Sequence, residues 1–211
     1  MSDAIVQKIR RVRKFLQVDT TRGTLSLTYA QFRERPFQEG DEFDLDAYDL
    51  WLAPKQYPAC MKTAGTILSS KDYTEKELRQ KLLRIGYRPL TVDMTINKLL
   101  ELHFLDDAAY AKRYVEGYAE QRRGKRRIAM DLRKKGLGQE DIDAALELVD
   151  PDDELQHAQE IARQKLQRIP DGEDPRKTTQ KILAMLARRG YSYDTAKEAI
   201  SLAREDLEND S

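Results

Sequence analysis

The chain has 211 residues, 40% of them hydrophobic and 35% charged, with 37 basic side chains against 37 acidic ones. It is long enough for one large or two to three small domains, and too apolar and too regular for a disordered chain. A single cysteine, Cys60, excludes an internal disulfide, and no run approaches the roughly 20 apolar residues of a membrane span. No apolar leader follows the basic residues near the N-terminus, so a soluble, cytoplasmic protein is expected.

The neutral total hides an asymmetry. Residues 1–60 carry 9 charges of each sign, residues 61–149 carry 18 basic and 14 acidic, and residues 150–211 carry 10 basic and 14 acidic. Such a distribution points to a charged polymer as partner more than to a small apolar ligand.

In chain order, Phe15–Val18 and Thr24–Leu27 flank a Gly23-containing turn and predict a β-hairpin, with Val6 and Ile9 candidates for a third strand. A hairpin alone is marginal in water, so Phe32, Phe37 and Phe43 are expected to support it. Glu39-Gly40-Asp41 marks a further turn, and the acidic run Asp41–Asp46 reads as a loop ending in a helix cap. From about Leu45 the pattern is helical, with Pro54 and Pro58 expected to kink or restart the helix.

Beyond Pro58 the chain repeats. Aligned on Gly86, Gly136 and Gly190, it carries Leu78, Ile128 and Ile182 eight residues upstream and Leu82, Leu132 and Leu186 four upstream. Tyr87, Leu137 and Tyr191 follow each glycine; Val92, Ile142 and Ala196 lie six downstream, and Ile96, Leu146 and Ile200 ten downstream. Each unit therefore predicts a helix, a glycine stop in the left-handed region, and a second helix. Arg84, Lys134 with Lys135, and Arg188 with Arg189 precede the stops, where cations suit the helix dipole. Thr74 and Glu77 have the spacing of a capping box. Helices over 59–71, 106–122 (with Asp106 as cap) and 153–169 lead the three units.

The predicted organisation is mainly α: a small α+β module over residues 1–57, then three-helix repeats over 58–104, 105–150 and 151–211. Units this small have thin cores, and stacking would give an elongated, curved array.

These residues carry a family resemblance. The run Tyr73–Leu82, the segment Leu105-Asp106-Asp107-Ala108-Ala109-Tyr110-Ala111, and Arg123-Gly124 continuing through Ile128, Leu132 and Lys134-Lys135-Gly136 resemble the first repeat, the signature and the second repeat of the RecX family. The similarity covers residues 58 to about 207, and less specifically the N-terminal module. His103-Phe104 departs from it, standing where a glycine-containing turn is expected. The resemblance implies a modulator that binds the RecA filament and lowers its ATPase, strand-exchange and coprotease activities.

The candidate binding residues lie in the run Gln121-Arg122-Arg123-Gly124-Lys125-Arg126-Arg127, followed by Arg133, Lys134 and Lys135. Residues 121–135 hold eight basic side chains against Asp131 alone. They could meet an acidic protein face or, as an auxiliary contact, a nucleic-acid backbone without base readout; a merely solvated helix face is the alternative. Arg10, Arg11, Arg13 and Lys14 form a second cluster, which protection of a strand edge would also explain. The tyrosines Tyr87, Tyr110, Tyr114, Tyr118, Tyr191 and Tyr193 sit mostly at core-facing positions and read as packing rather than base-stacking platforms.

No catalytic site is expected. His103 and His157 lack a nearby second ligand, Cys60 lacks a partner base, and no Gly-rich phosphate loop is present, so neither metal, cofactor nor ATP is expected to bind. A direct DNA-binding helix-turn-helix regulator and a general helical scaffold remain open beside the RecA-binding reading. A monomer is expected.

Overall fold

Alternating buried residues at Ala4 and Val6, Val18 and Thr20, and Leu25 and Leu27 put one face of an antiparallel sheet into a core. The computed structural model describes residues 3–119, 122–169 and 173–209. Strand β1 (Asp3–Val12), β2 (Phe15–Thr20), β3 (Gly23–Thr28) and a short β4 (Glu42–Asp44) are arranged in the order β3-β2-β1-β4. The predicted hairpin is β2–β3, and Val6 and Ile9 belong to β1. Helix α1 (Tyr29–Glu34) opens on a capping box between Thr28 and Gln31. Phe32, Phe37 and Phe43 pack on the sheet core as expected, with Phe37 and Phe43 ring centres 4.6 Å apart. Part of the acidic run expected to be a loop is instead β4, which pairs with Asp3–Ile5 of β1; Asp44 then caps the following helix through Asp46 N–H and Ala47 N–H.

The two prolines do not restart the helix. Helix α2 runs unbroken from Leu45 to Leu68. Pro54 and Pro58 are spaced i, i+4 on the exposed face, and the Leu50 and Pro54 carbonyls left without N–H partners lie on that side, where water can serve them. The opposite face enters two cores in succession. Tyr48 and Leu52 pack with the sheet, while Cys60, Ala64 and Ile67 pack with Leu78, Leu82, Val92 and Ile96 of α3 (Glu75–Ile85) and α4 (Pro89–Glu101).

Residues 1–106 form one compact unit and residues 107–211 a second. The second contains α5 (Asp107–Ala119), α6 (Lys125–Lys135) and α7 (Gln139–Leu146), then α8 (Pro151–Leu166), α9 (Pro175–Arg189) and α10 (Tyr193–Asn209). Ile128, Leu132 and Ile142 centre the core of the first trio; Ile182, Leu186 and Ile200 centre that of the second. Each such side chain, taken from water, contributes roughly 1.5–3 kcal/mol.

The repeat glycines all adopt the left-handed conformation at a helix C-cap: Gly86 (φ 107°), Gly136 (φ 95°) and Gly190 (φ 93°). Thr74 and Glu77 make the reciprocal capping box. At the departure from the family pattern, His103 itself takes the left-handed conformation, φ 55°, so a turn suited to glycine is made by a residue with a Cβ.

Candidate partner-binding surface

Helix α6 carries the candidate cations. Ile128, Ala129 and Leu132 bury one face, leaving Arg126, Met130, Arg133 and Lys134 on the exposed side. Its last turn, Arg133-Lys134-Lys135, faces the negative end of the helix dipole and is locally favourable. Its first turn is the reverse. Lys125, Arg126 and Arg127 stand at the positive end with no acidic residue among them, at a cost of about 0.3–1 kcal/mol each. A stretch that breaks a local rule without local benefit is where function is most expected.

The N–H groups of that first turn face the third repeat, not solvent. Gly124 N–H donates to the Arg189 carbonyl (3.0 Å), Arg126 N–H to the Gly190 carbonyl (3.1 Å), and Lys125 N–H to Glu154 Oε1 (2.8 Å). The approach is so close that a Cβ on Gly124 would lie 2.4 Å from the Gly190 carbonyl carbon, and one on Gly190 would lie 2.3 Å from Arg127 N. The end of α9 thus abuts the start of α6, which brings Arg188 and Arg189 beside Lys125, Arg126 and Arg127. Sequence reading assigned Arg188 and Arg189 only to helix termination. Their joining the cluster rests on a contact across about 65 residues of chain, and the glycine amid cations at 124 was its one signal in the sequence.

The eight candidate cations fall into distinct environments. Arg122, itself at φ 50°, pairs with Glu160 (2.8 Å). Arg123 and Arg127 both reach Asp131 Oδ2, at 3.4 and 3.1 Å. Arg133 donates twice to Gln139 Oε1 (3.0 and 2.8 Å), and the Lys135 ammonium lies over the Tyr110 and Tyr114 rings, 5.3 and 5.8 Å from their centres. Among the described residues, the side chains of Lys125, Arg126 and Lys134 hold no ion pair. Helix α5 is described from Asp107 to Ala119; Glu120 and Gln121, within the helix expected over 106–122, lie outside the described residues.

The tyrosines divide similarly. Tyr110 and Tyr114 stack on each other at 6.0 Å, Tyr87 bonds Thr63 Oγ1 (2.8 Å), and Tyr193 is exposed. Tyr191 is buried with its hydroxyl unpartnered, and burial pushes that hydroxyl's pKa up to about 12. The Tyr118 side chain lies outside the described residues. In the second basic cluster, Arg10 pairs with Asp19 (2.5 Å) and Arg11 lies over the Tyr29 ring; Arg13 and Lys14 form the β1–β2 turn. Among the described residues no group of three His, Cys, Asp or Glu side chains is placed to hold a metal ion, and no helix is long and apolar enough to cross a membrane.

A strand module followed by three glycine-stopped helical trios defines a tandem three-helix-repeat protein, and comparison with known proteins bears this out. Residues 60–99, 106–146 and 152–200 match the models of the first, second and third three-helix domains of RecX. The chain is 35% identical over 140 residues to the regulatory protein RecX of Mycolicibacterium smegmatis, covering 64% of this chain and 74% of that one. It is 34% identical over 145 residues to the regulatory protein RecX of Vibrio campbellii, covering 69% and 92%. A crystal structure of RecX from Lactobacillus salivarius superposes with a TM-score of 0.67 at 25% identity, over 72% of this chain and 98% of that one. Another regulatory protein RecX crystal structure has a TM-score of 0.65 at 23% identity over 92% of this chain and 97% of that one; it bears on the fold alone. The chain belongs to the RecX family.

Proposed function

We propose that this protein is a non-enzymatic regulator that binds the RecA filament and restrains its ATPase, strand-exchange and coprotease activities. Curated relatives bear the name regulatory protein RecX, which supports a regulatory role. The observation that carries the surface assignment is the cationic first turn of α6, held against the helix dipole and joined by Arg188 and Arg189. A dense positive surface, in which Lys125, Arg126 and Lys134 hold no ion pair among the described residues, suits an acidic protein face and the phosphate backbone lying with it. The protein acts as a monomer in the cytoplasm, without cofactor.

The helix-turn-helix reading is less well supported. In that motif the recognition helix leads with its N-terminal residues into the major groove. Here that end of α6 is occupied by the α9 carbonyls and Glu154. Any nucleic-acid contact therefore falls to side chains on the exposed face, and to phosphates.

The test is a titration of RecA ATPase on single-stranded DNA with sub-stoichiometric protein. Wild type inhibits. Lys125→Ala, Arg126→Ala, Lys134→Ala and Arg188→Ala combined, which leaves the Asp131 and Glu160 pairs intact, inhibits less, and the deficit narrows as salt rises and screens the attraction that wild type still has. No inhibition by wild type at any ratio overturns the assignment. Unchanged potency of the folded variant removes this surface from it.

A further inference from the structure

The N-terminal module carries a site that the α6 surface does not absorb. The sheet face opposite the core presents Val12, Phe15, Gln17, Ser26 and Thr28, and register places them together: Val12 opposite Phe15, Phe15 opposite Thr28, and Gln17 opposite Ser26. With Ile85 and Tyr87 at the α3–α4 turn they line a pocket of about 320 Å³. Gly86 lets the turn come this close, since a Cβ there would lie 2.9 Å from Ser26 Oγ. Gln56 fixes the floor, donating to the Ser26 carbonyl (3.1 Å) and accepting from Arg88 N–H (3.3 Å).

Two features of this pocket call for an occupant. Its apolar walls are left open: Phe15 is 48% and Ile85 52% exposed. Its surround is predominantly basic. The segments 11–17, 26–33, 55–59 and 84–88, which supply and flank the lining, contain seven cations and no carboxylate. Arg88 is paired with Asp49, Lys55 with Glu34, and Arg11 lies over Tyr29. Among the described residues Arg13, Lys14, Arg33 and Arg84 hold no ion pair, and the Gln17 amide has no hydrogen-bond partner.

We propose that this pocket docks a short acidic peptide segment, which seats one or two large apolar side chains between Phe15 and Ile85 while its carboxylates meet Arg13, Lys14 and Arg84. A volume of this size takes such side chains. The free Gln17 amide offers a donor and an acceptor to the peptide backbone. A single strand of nucleic acid fits less well. Stacking of successive bases needs a row of open aromatic platforms, whereas the lining offers one, Phe15, beside a Tyr87 whose hydroxyl is tied to Thr63.

The experiment is fluorescence polarisation of the full chain with the labelled peptide Asp-Glu-Asp-Phe-Leu-Asp-Glu-Asp. Its controls are the same peptide with Gly-Ser at the centre and a thymidine oligonucleotide. The Phe-Leu peptide is expected to bind, weakening about tenfold with Arg13→Glu plus Lys14→Glu, and similarly with Arg84→Glu on a different element. The peptide is also expected to shift the backbone amide resonances of Gln17 and Ile85 in the wild-type chain, a readout that needs no variant to fold. No binding, equal binding of the Gly-Ser peptide, or displacement of the peptide by the oligonucleotide would each overturn the proposal. These outcomes leave the RecA reading untouched, because α6 plays no part in them.

Discussion

Replacing Gly124 by alanine should destabilise the second unit sharply, against the usual sign of such a change. The backbone at Gly124 has φ −75° and ψ 159°, an extended conformation that alanine adopts freely. In open space Gly→Ala there would stabilise by about 0.4–1 kcal/mol through the unfolded chain. The added Cβ, however, would lie 2.4 Å from the Gly190 carbonyl carbon and oxygen and 2.5 Å from Tyr191 N. These are backbone atoms pinned by a left-handed helix cap, and reaching ordinary contact means parting the two repeats by about 1 Å. That movement loosens the two backbone hydrogen bonds across the joint, worth about 1 kcal/mol each, and the charge-assisted bond from Lys125 N–H to Glu154, worth about 1.5 kcal/mol. The net loss is about 3 kcal/mol, or a fall of about 1.5 M in urea midpoint. Trp51, the only tryptophan, lies in the first unit and would miss the change, so the assay is far-UV circular dichroism with amide exchange read across α6 and α9. A Gly124→Ala chain as stable as wild type, or more so, would show that the joint is not tightly closed.

Other outcomes follow from the same structure. His103→Gly should stabilise the first unit by about 0.5 kcal/mol, as relief of the left-handed strain exceeds the added chain entropy; thermal unfolding checks it. Asp49→Asn should cost about 2 kcal/mol, because it strips the mostly buried Arg88 of a two-pronged partner with both bonds at 2.7 Å; urea unfolding followed by Trp51 fluorescence measures this directly. Tyr191→Phe should be neutral or stabilising by up to about 1 kcal/mol, since the buried hydroxyl has no partner. The folded-state pKa of Tyr191 lies above its ordinary value of 10, at about 12. Its contribution is therefore intact below pH 10 and lost as pH rises toward 12, and Tyr191→Phe should flatten the alkaline fall in urea midpoint.

The three glycine stops were legible because a left-handed residue behind an amphipathic helix leaves a mark at fixed spacing, and the residues four and eight positions upstream of each lie buried. The β2–β3 hairpin was legible for a like reason, two alternating runs about a glycine. Elements too short for a period were not. Strand β4 is three residues held by pairing with β1, and α1 is six residues held by one capping box. Pro54 and Pro58 do not restart the helix because the carbonyls they leave without N–H partners lie on the exposed face, where water can serve them, and that exposure cannot be read from proline alone. Within the basic run, charge density was visible but pairing was not. Asp131 is shared by Arg123 and Arg127, Glu160 engages Arg122 across the joint, and Arg188 and Arg189 arrive through a turn distant in sequence.

Helix α2 has one end in the strand module and the other packed with α3 and α4, and this binds their fates. A chain cut anywhere along it would leave each half with an apolar stripe facing nothing, so the module has no natural point of excision within that helix. Melting at one end should travel along a single rod to the other, which makes the first 106 residues one cooperative element. A signal that loosens the sheet would then be felt at α3 and α4 without any jointed linker to carry it.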